Sequence, residues 1–391
     1  MSRRTLQSNY FADDKDVFDL LAAARQKLTV QKLVDFARRR GLILSTADER
    51  DRLIAQIAVL PLGWQDLNAL VAATDTADRA ERVASRTLTG GFSTDDVSDA
   101  VDVLRQERED RGETYKVERY KDTLRVTVGY SELDTSKTRL VQKTLREFSL
   151  EFEIGNAGEA LVRHQDQPRA QEVLGSLVDL LATKPEESIE QTKIELFGIR
   201  DPARRTAFFL RLIKGVDGFT FEDVKAVRAS RFHDTSADSL PPEAADELSD
   251  QEPDDDPDRE EVPTDEAQFI ARVKEIALRG EGLLGTPQYE QLAEHGFFVR
   301  SIVWTSSEKK ALGPRVEFEA GFDDAERGTG FTYMIRGIYS RRVDGEFKKS
   351  KATPELAERT RLLRLLETAA RDALGEISPA STSNSDEGAV T

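Results

Sequence analysis

The chain has 391 residues, 38% of them hydrophobic and 33% charged, and a formal net charge of −17. That length exceeds one ordinary core and sets an expectation of two or three domains. The lack of cysteine excludes disulfides, thiolate nucleophiles and Cys-based zinc sites. No apolar run approaches the roughly 18 residues of a membrane span. No secretory pattern follows Met1–Tyr10, so the expected location is the cytoplasm.

In chain order, residues 1–114 read as a helical module. Val17, Phe18, Leu20, Leu21 and Ala24 recur at helical spacing after Asp14, and further helices are expected over Val30–Arg40, Arg50–Val59 and Trp64–Ala73. Ser93 is placed to cap a fifth helix, with Val97, Val101 and Leu104 as its apolar stripe. Residues 115–233 switch to period two. Leu124, Val126, Val128 and Tyr130 alternate with polar partners, as do Phe148, Leu150, Phe152 and Ile154. Gly155–Gly158 supplies a turn into Ala160–His164. A helix from Pro168 follows, with Asp166 as its expected cap, then a strand over Lys193–Phe197. Asp201 and Pro202 open a helix that Gly215 ends, and Phe219–Phe232 reads as a strand.

Residues 234–263, rich in Pro, Asp, Glu and Ser, bury too little apolar surface to offset ordering entropy and are expected to be a disordered acidic linker. Residues 231–270 hold fifteen acids against Arg231 and Arg259, so most of the net charge sits there. The folded parts are close to neutral, and the overall acidity does not exclude a polyanionic partner. Over residues 264–377 a helix capped by Thr264 carries Phe269, Val273 and Ile276. A short helix follows at Thr286-Pro287, then strands over Phe297–Trp304, Val316–Phe322 and Phe331–Val343. A turn at Asp344-Gly345 and a last helix from Thr353-Pro354 to Gly375 complete the module. Residues 378–391 form a second disordered segment. The expected class is therefore α+β and multi-module: a helical N-terminal module and two antiparallel-sheet-plus-helix modules separated by the acidic linker. The last two share an order of elements without a residue-level repeat, which common architecture explains.

The stretch Leu28–Ala58 carries the most information. It opens with Leu28-Thr29-Val30, runs a helix into Arg40-Gly41-Leu42, places Ser45 in a polar loop and resumes with Leu53-Ile54. In these pieces it resembles the helix–extended-loop–helix motif of the SAP family, over about thirty residues. The resemblance implies DNA binding, although similar folds also bind RNA or protein. Lys27, Lys32, Arg38, Arg39 and Arg40 are the candidate phosphate contacts. The loop departs from the family in reading Thr46-Ala47-Asp48-Glu49, whose acids repel phosphate. The alternative is a helical packing or protein-docking module.

A second basic patch surrounds the Asp344-Gly345 hairpin: Arg336, Arg341, Arg342, Lys348, Lys349 and Lys351, interleaved with Tyr333, Tyr339 and Phe347. A solvated sheet edge, where lysines discourage edge-to-edge pairing, is the simpler account of it. Arg204, Arg205, Arg211 and Lys214 read as the solvated face opposite Phe208, Phe209, Leu212 and Ile213. The three histidines, His164, His233 and His295, are scattered without ligand spacing. Glu151/Glu153 and Glu317/Glu319 each share a strand face, and their alternation with apolar residues places them in solvent. No P-loop, dinucleotide fingerprint or Gly-x-Ser-x-Gly occurs. The expected function is that of a non-enzymatic, nucleic-acid-associated accessory protein, with candidate contacts at Lys27, Lys32, Arg38, Arg39, Arg40, Arg341, Arg342, Lys348 and Lys349 and no cofactor. The acidic linker is expected to compete for those basic surfaces as a phosphate mimic. Two alternatives remain: a protein–protein adaptor, and a divalent-metal nuclease or phosphotransferase built on Glu317, Glu319 and Asp323.

Overall fold

The structure, a computed structural model, describes residues 12–74, 81–120, 123–155, 159–183, 188–232, 275–280, 282–283, 286–310, 312–342 and 345–378. The linker 234–263, the tail beyond 378, His233, Asp344 and the Thr264-capped helix up to residue 274 lie outside them. The protein is α+β, and it divides into two compact units, Met1–Thr192 and Lys193–Thr391.

Unit 1 begins with four helices, α1 (Asp14–Ala23), α2 (Val30–Arg39), α3 (Arg50–Ala58) and α4 (Trp64–Ala73). Asp13 and Asp16 cap one another's backbone N–H groups and fix where α1 starts. The stop of α2 explains the Arg40-Gly41-Leu42 signature. Gly41 adopts φ +75°, its N–H bonds Arg38 O (3.0 Å) and the Leu42 N–H bonds Ala37 O (3.1 Å). These bonds satisfy carbonyls that the helix end would otherwise leave open, in a conformation only glycine adopts without strain. Arg50, at the start of α3, reaches back to Leu21 O (2.6 Å) and ties α3 to the end of α1. Leu20, Leu21, Leu33, Leu53, Ile54 and Ile57 pack into one core beneath these helices.

The rest of unit 1 is a sheet with two helices on one face. Its elements are β1 (Val83–Thr89), α5 (Thr94–Glu107), β2 (Thr114–Tyr120), β3 (Thr123–Leu133), β4 (Lys143–Ile154), β5 (Glu159–Gln165) and α6 (Pro168–Ala182), with β6 (Glu190–Lys193) paired to β1. The sheet order is β2-β3-β4-β5-β1, all antiparallel. The period-two residues Leu124, Val126, Val128, Phe148, Leu150 and Phe152 turn toward α5 and α6 and are buried with Val97, Val101, Leu104, Val173 and Leu177. Ser93 caps α5 as its sequence predicts. Three expectations are corrected. Residues 1–114 are not purely helical, because β1 lies within them. Residues 114–120 form a strand that the sequence reading left out. Gln167 rather than Asp166 is the N-cap of α6; the Asp166 carboxylate accepts from Gln171 instead.

Unit 2 runs α7 (Pro202–Gly215), β7 (Phe219–Ser230), β8 (Glu275–Arg279), α8 (Pro287–Glu294), β9 (Phe298–Glu308), β10 (Arg315–Asp324), β11 (Thr329–Tyr339) and α9 (Leu356–Ile377). Its strands follow the order β8-β7-β9-β10-β11. Asp201 accepts from the Ala203 N–H (2.9 Å) and Pro202 fills the first turn of α7, as predicted. Ile276 lies on β8, not on the predicted helix, because the strand pairs with β7 at Ala229. Without β8 and α8, unit 2 repeats the order of the part of unit 1 that follows α4: an extended segment, a helix, four antiparallel strands and a helix. Even the first segment has the same place, since the Leu196 N–H bonds Gly328 O (2.7 Å) just before the last strand. The buried face is aromatic. Trp304 stacks on Phe318, and Phe208 meets Phe322 and Phe331.

Arg205 is the main surprise. Expected on a solvated face, it is 2% exposed. Its guanidinium donates to Ile199 O (2.6 Å), Glu326 O (2.8 Å) and Ala325 O, and lies over the rings of Phe232 (4.6 Å) and Phe298 (4.8 Å). Burial holds its pKa down to about 10. It pins the turn between β10 and β11 to the start of α7.

Candidate nucleic-acid interface

On α2 the apolar side, Leu33, Val34 and Ala37, faces the core, so the intervening polar residues face outward. Lys32, Arg38 and Arg39 are exposed. Lys32 Nζ donates to Lys27 O (2.8 Å) and Lys27 Nζ to Thr74 O (2.9 Å), so both ammonium groups cap carbonyls. Arg38 leans on Asp35 at 3.3 Å, a surface pair with the guanidinium still 69% exposed. Such a pair contributes about 0–1 kcal/mol and yields readily to another anion. Arg39 makes no ion pair with a described residue.

Arg40 differs. Its guanidinium bonds Asp66 at 2.7 Å, is 25% exposed and lies 5.9 Å over the Phe36 ring. Placed by the sequence among the phosphate contacts, it is a strut between the α2 terminus and α4. The loop that follows holds Ser45, whose hydroxyl accepts from the Ala47 N–H (3.1 Å), and Ile43, whose side chain is 99% exposed. The sequence reading passed over Ile43. Nothing in periodicity separates a loop isoleucine that packs from one that does not.

The second predicted group lies in unit 2. Arg341 pairs its backbone with Phe347, and that ring is sandwiched between the guanidinium groups of Arg341 (4.7 Å) and Arg315 (4.3 Å). Arg342, Lys348 and Lys349 are exposed around Gly345, which takes the φ of +86° that the tight turn requires. The remainder of the expected patch is engaged within the sheet, with Arg336 and Lys351 still exposed. Tyr333 is buried against the helices. Glu317 is held by Lys351 Nζ (2.6 Å), Arg336 Nε (3.0 Å) and the Tyr339 hydroxyl (2.9 Å), and Glu319 by Arg336 Nη1 (2.5 Å). Burial first, and then the bond to Glu317, push the Tyr339 phenol up to about 12. Expected in solvent, Glu317 and Glu319 are covered by cations. Asp323, the third residue of that metal reading, is exposed. Among the described residues no three His, Cys, Asp or Glu side chains group into a metal site. Glu151 and Glu153 share Arg163, whose guanidinium is buried between them. His164 is buried with Nδ1 against Gln165 O, and His295 contacts Gln291 O.

No protein-family model matches this chain, and no curated protein does either. Among the described residues no helix is long and apolar enough to cross a membrane.

Proposed function

We propose that this chain is a non-enzymatic, nucleic-acid-associated accessory protein whose α2 face meets the phosphate backbone of DNA. The observation that carries the reading is the side of α2 just before the Gly41 stop. Arg38 and Arg39 stand exposed there on a rigid helix, one weakly paired and the other without an ion pair to a described residue. Guanidinium groups so placed suit phosphate oxygens and impose no sequence preference. Arg342, Lys348 and Lys349 add a second set of exposed cations in unit 2. The resemblance of Leu28–Ala58 to the SAP motif supports the same reading.

The test is fluorescence anisotropy of the full chain on labelled duplex and single-stranded probes from 50 to 200 mM salt. Affinity is expected to fall steeply with salt. Arg38→Glu with Arg39→Glu is expected to weaken binding about tenfold or more and to reduce the salt slope by about two. A salt-independent signal, or an unchanged double variant, removes the reading. Ile43 favours a second one: an isoleucine fully in solvent, in a unit that also exposes Trp64 (53%) and Val59 (64%), suits an adaptor that docks on a protein. An adaptor ignores both the salt and the arginine variants.

A further inference from the structure

The sheet of unit 2 packs one face on α7 and α9, and its other face carries a cleft of about 230 Å³. The register explains the hollow. One rung runs Ala277, Arg228, Ser301 and Gly321 across β8, β7, β9 and β10; the next runs Arg279, Ala226, Val303 and Glu319. The small residues form the floor, while Arg228, Arg279 and Arg336 rise at its edges. Gly321, next to Ser301 on the first rung, must be small, since a Cβ there would stand 2.7 Å from the Ser301 Cβ.

The charges around the cleft do not balance locally. Each acid that borders it already has a cation or N–H group of its own. Glu317 and Glu319, which line it, take Arg336 and Lys351, and the lining Lys225 is taken by Asp223 (3.0 Å), which also accepts from the Gly282 N–H (2.8 Å). Arg228 and Arg279 are exposed and make no ion pair with a described residue. Arg228 lies directly opposite Ala277 and Arg279 opposite Ala226, so the two are diagonal neighbours on one sheet face, roughly 7–8 Å apart at the backbone. Like charges so placed repel, and an oxyanion between them converts that repulsion into charge-assisted hydrogen bonds. The guanidinium fork matches phosphate geometry, and an apolar ligand would leave both cations buried and unmatched.

We propose that this cleft binds a phosphate group, with Arg228 and Arg279 as its charged donors and Ser301 in its floor. The proposal does not depend on α2. Its phosphate comes either from a free phosphorylated small molecule or from a nucleic-acid strand, and the experiment separates these sources. Pyrophosphate is titrated calorimetrically into the full-length wild type, Arg228→Gln/Arg279→Gln, Ala277→Glu and Arg38→Glu/Arg39→Glu. Ala277 is exposed, so Ala277→Glu sets a carboxylate beside Arg228 without disturbing the core. Trp304 fluorescence, read with Trp64→Phe added to each protein, checks that unit 2 stays folded. Affinity is expected to drop about tenfold or more in both cleft variants and to stay unchanged in the α2 variant. Bound pyrophosphate is then displaced. An oligonucleotide that displaces it at lower concentration than a mononucleotide assigns the site to nucleic acid; the opposite ranking assigns it to small phosphorylated molecules. No binding by the wild type, or equal binding by wild type and both cleft variants, overturns the proposal. Loss of oligonucleotide binding in the α2 variant alone concerns only the α2 reading.

Discussion

Removing the Arg205 guanidinium, by Arg205→Met, keeps most of the aliphatic stem and deletes the donors. Ile199 O, Ala325 O and Glu326 O lose their partner inside the protein. A hydrogen bond from a charged donor contributes about 1.5–3 kcal/mol net, and stacking on Phe232 and Phe298 adds about 1–2 kcal/mol. Those net figures already include the cost of desolvating the cation, whose pKa burial lowers to about 10. Removing one partner from a buried charged network costs about 3–5 kcal/mol, and a loss of that order is expected here. Arg205→Lys is expected to recover little, because a single ammonium cannot span three carbonyls and lie flat between two rings. The assay is urea unfolding followed by fluorescence in a Trp64→Phe background. This leaves Trp304, fully buried in unit 2, as the only tryptophan. A midpoint for Arg205→Met within about 1 kcal/mol of the parent, at unchanged slope, would show that the guanidinium is not what holds this turn.

Two further outcomes follow from the same unit. Gly328 has φ +67°, and a Cβ there would lie 2.7 Å from the Leu196 Cβ and 3.2 Å from an Arg205 nitrogen; Gly328→Ala is expected to cost more than about 2 kcal/mol by the same fluorescence assay, and a neutral result would show that the turn relaxes freely. Tyr339 has a folded pKa raised to about 12, above the ordinary value near 10, so its stabilising effect is complete below pH ~10 and is lost as pH rises toward 12. Absorbance at 295 nm, wild type minus Tyr339→Phe, should place the missing phenolate step near 12; a step near 10 refutes the bond to Glu317.

The sequence carried much of the fold where one local signal sufficed. Asp201-Pro202, Ser93 and Gly41 each mark a helix end through backbone hydrogen bonding that involves only three or four neighbouring residues. The alternation of β3 and β4 needs only the contrast between the helix-covered face and the other one. β1 was hidden because Ser85-Arg86-Thr87 interrupts its apolar residues, and its place depends on pairing with β5 some seventy residues away. β8 was hidden for the same reason, across the acidic segment, and with it the pairing that places Arg279 near Arg228. Arg205 is different, because the information was present. It sits at i, i+3, i+4, i+7 with Phe208, Phe209 and Leu212, which is the buried stripe of α7. Grouping it with its basic neighbours set residue type above position, and position decided.

That lesson bears directly on the function. Arginine content is a poor measure of the charge this protein offers a polyanion, because several of its guanidinium groups serve the fold. Arg50 closes a helix end, Arg205 pins a turn, Arg163 lies between two glutamates, and Arg40 and Arg341 are partly engaged by an acid or a ring. What distinguishes Arg38 from Arg40, two residues away on the same signature, is the strength of neutralisation. A pair at 3.3 Å with 69% exposure is solvent-screened and exchangeable, whereas one at 2.7 Å with 25% exposure and a ring beneath it is structural. By that criterion Arg38, Arg39 and the ammonium of Lys32 on unit 1 are available, as is Arg52, 70% exposed at 3.9 Å from Asp48. On unit 2 Arg342, Lys348 and Lys349 at the hairpin and Arg228 with Arg279 in the cleft are available too, beside other exposed cations such as Lys214, Lys309 and Arg327. Any anion this protein binds must be read against its exposed, weakly paired cations rather than against all 56 basic residues.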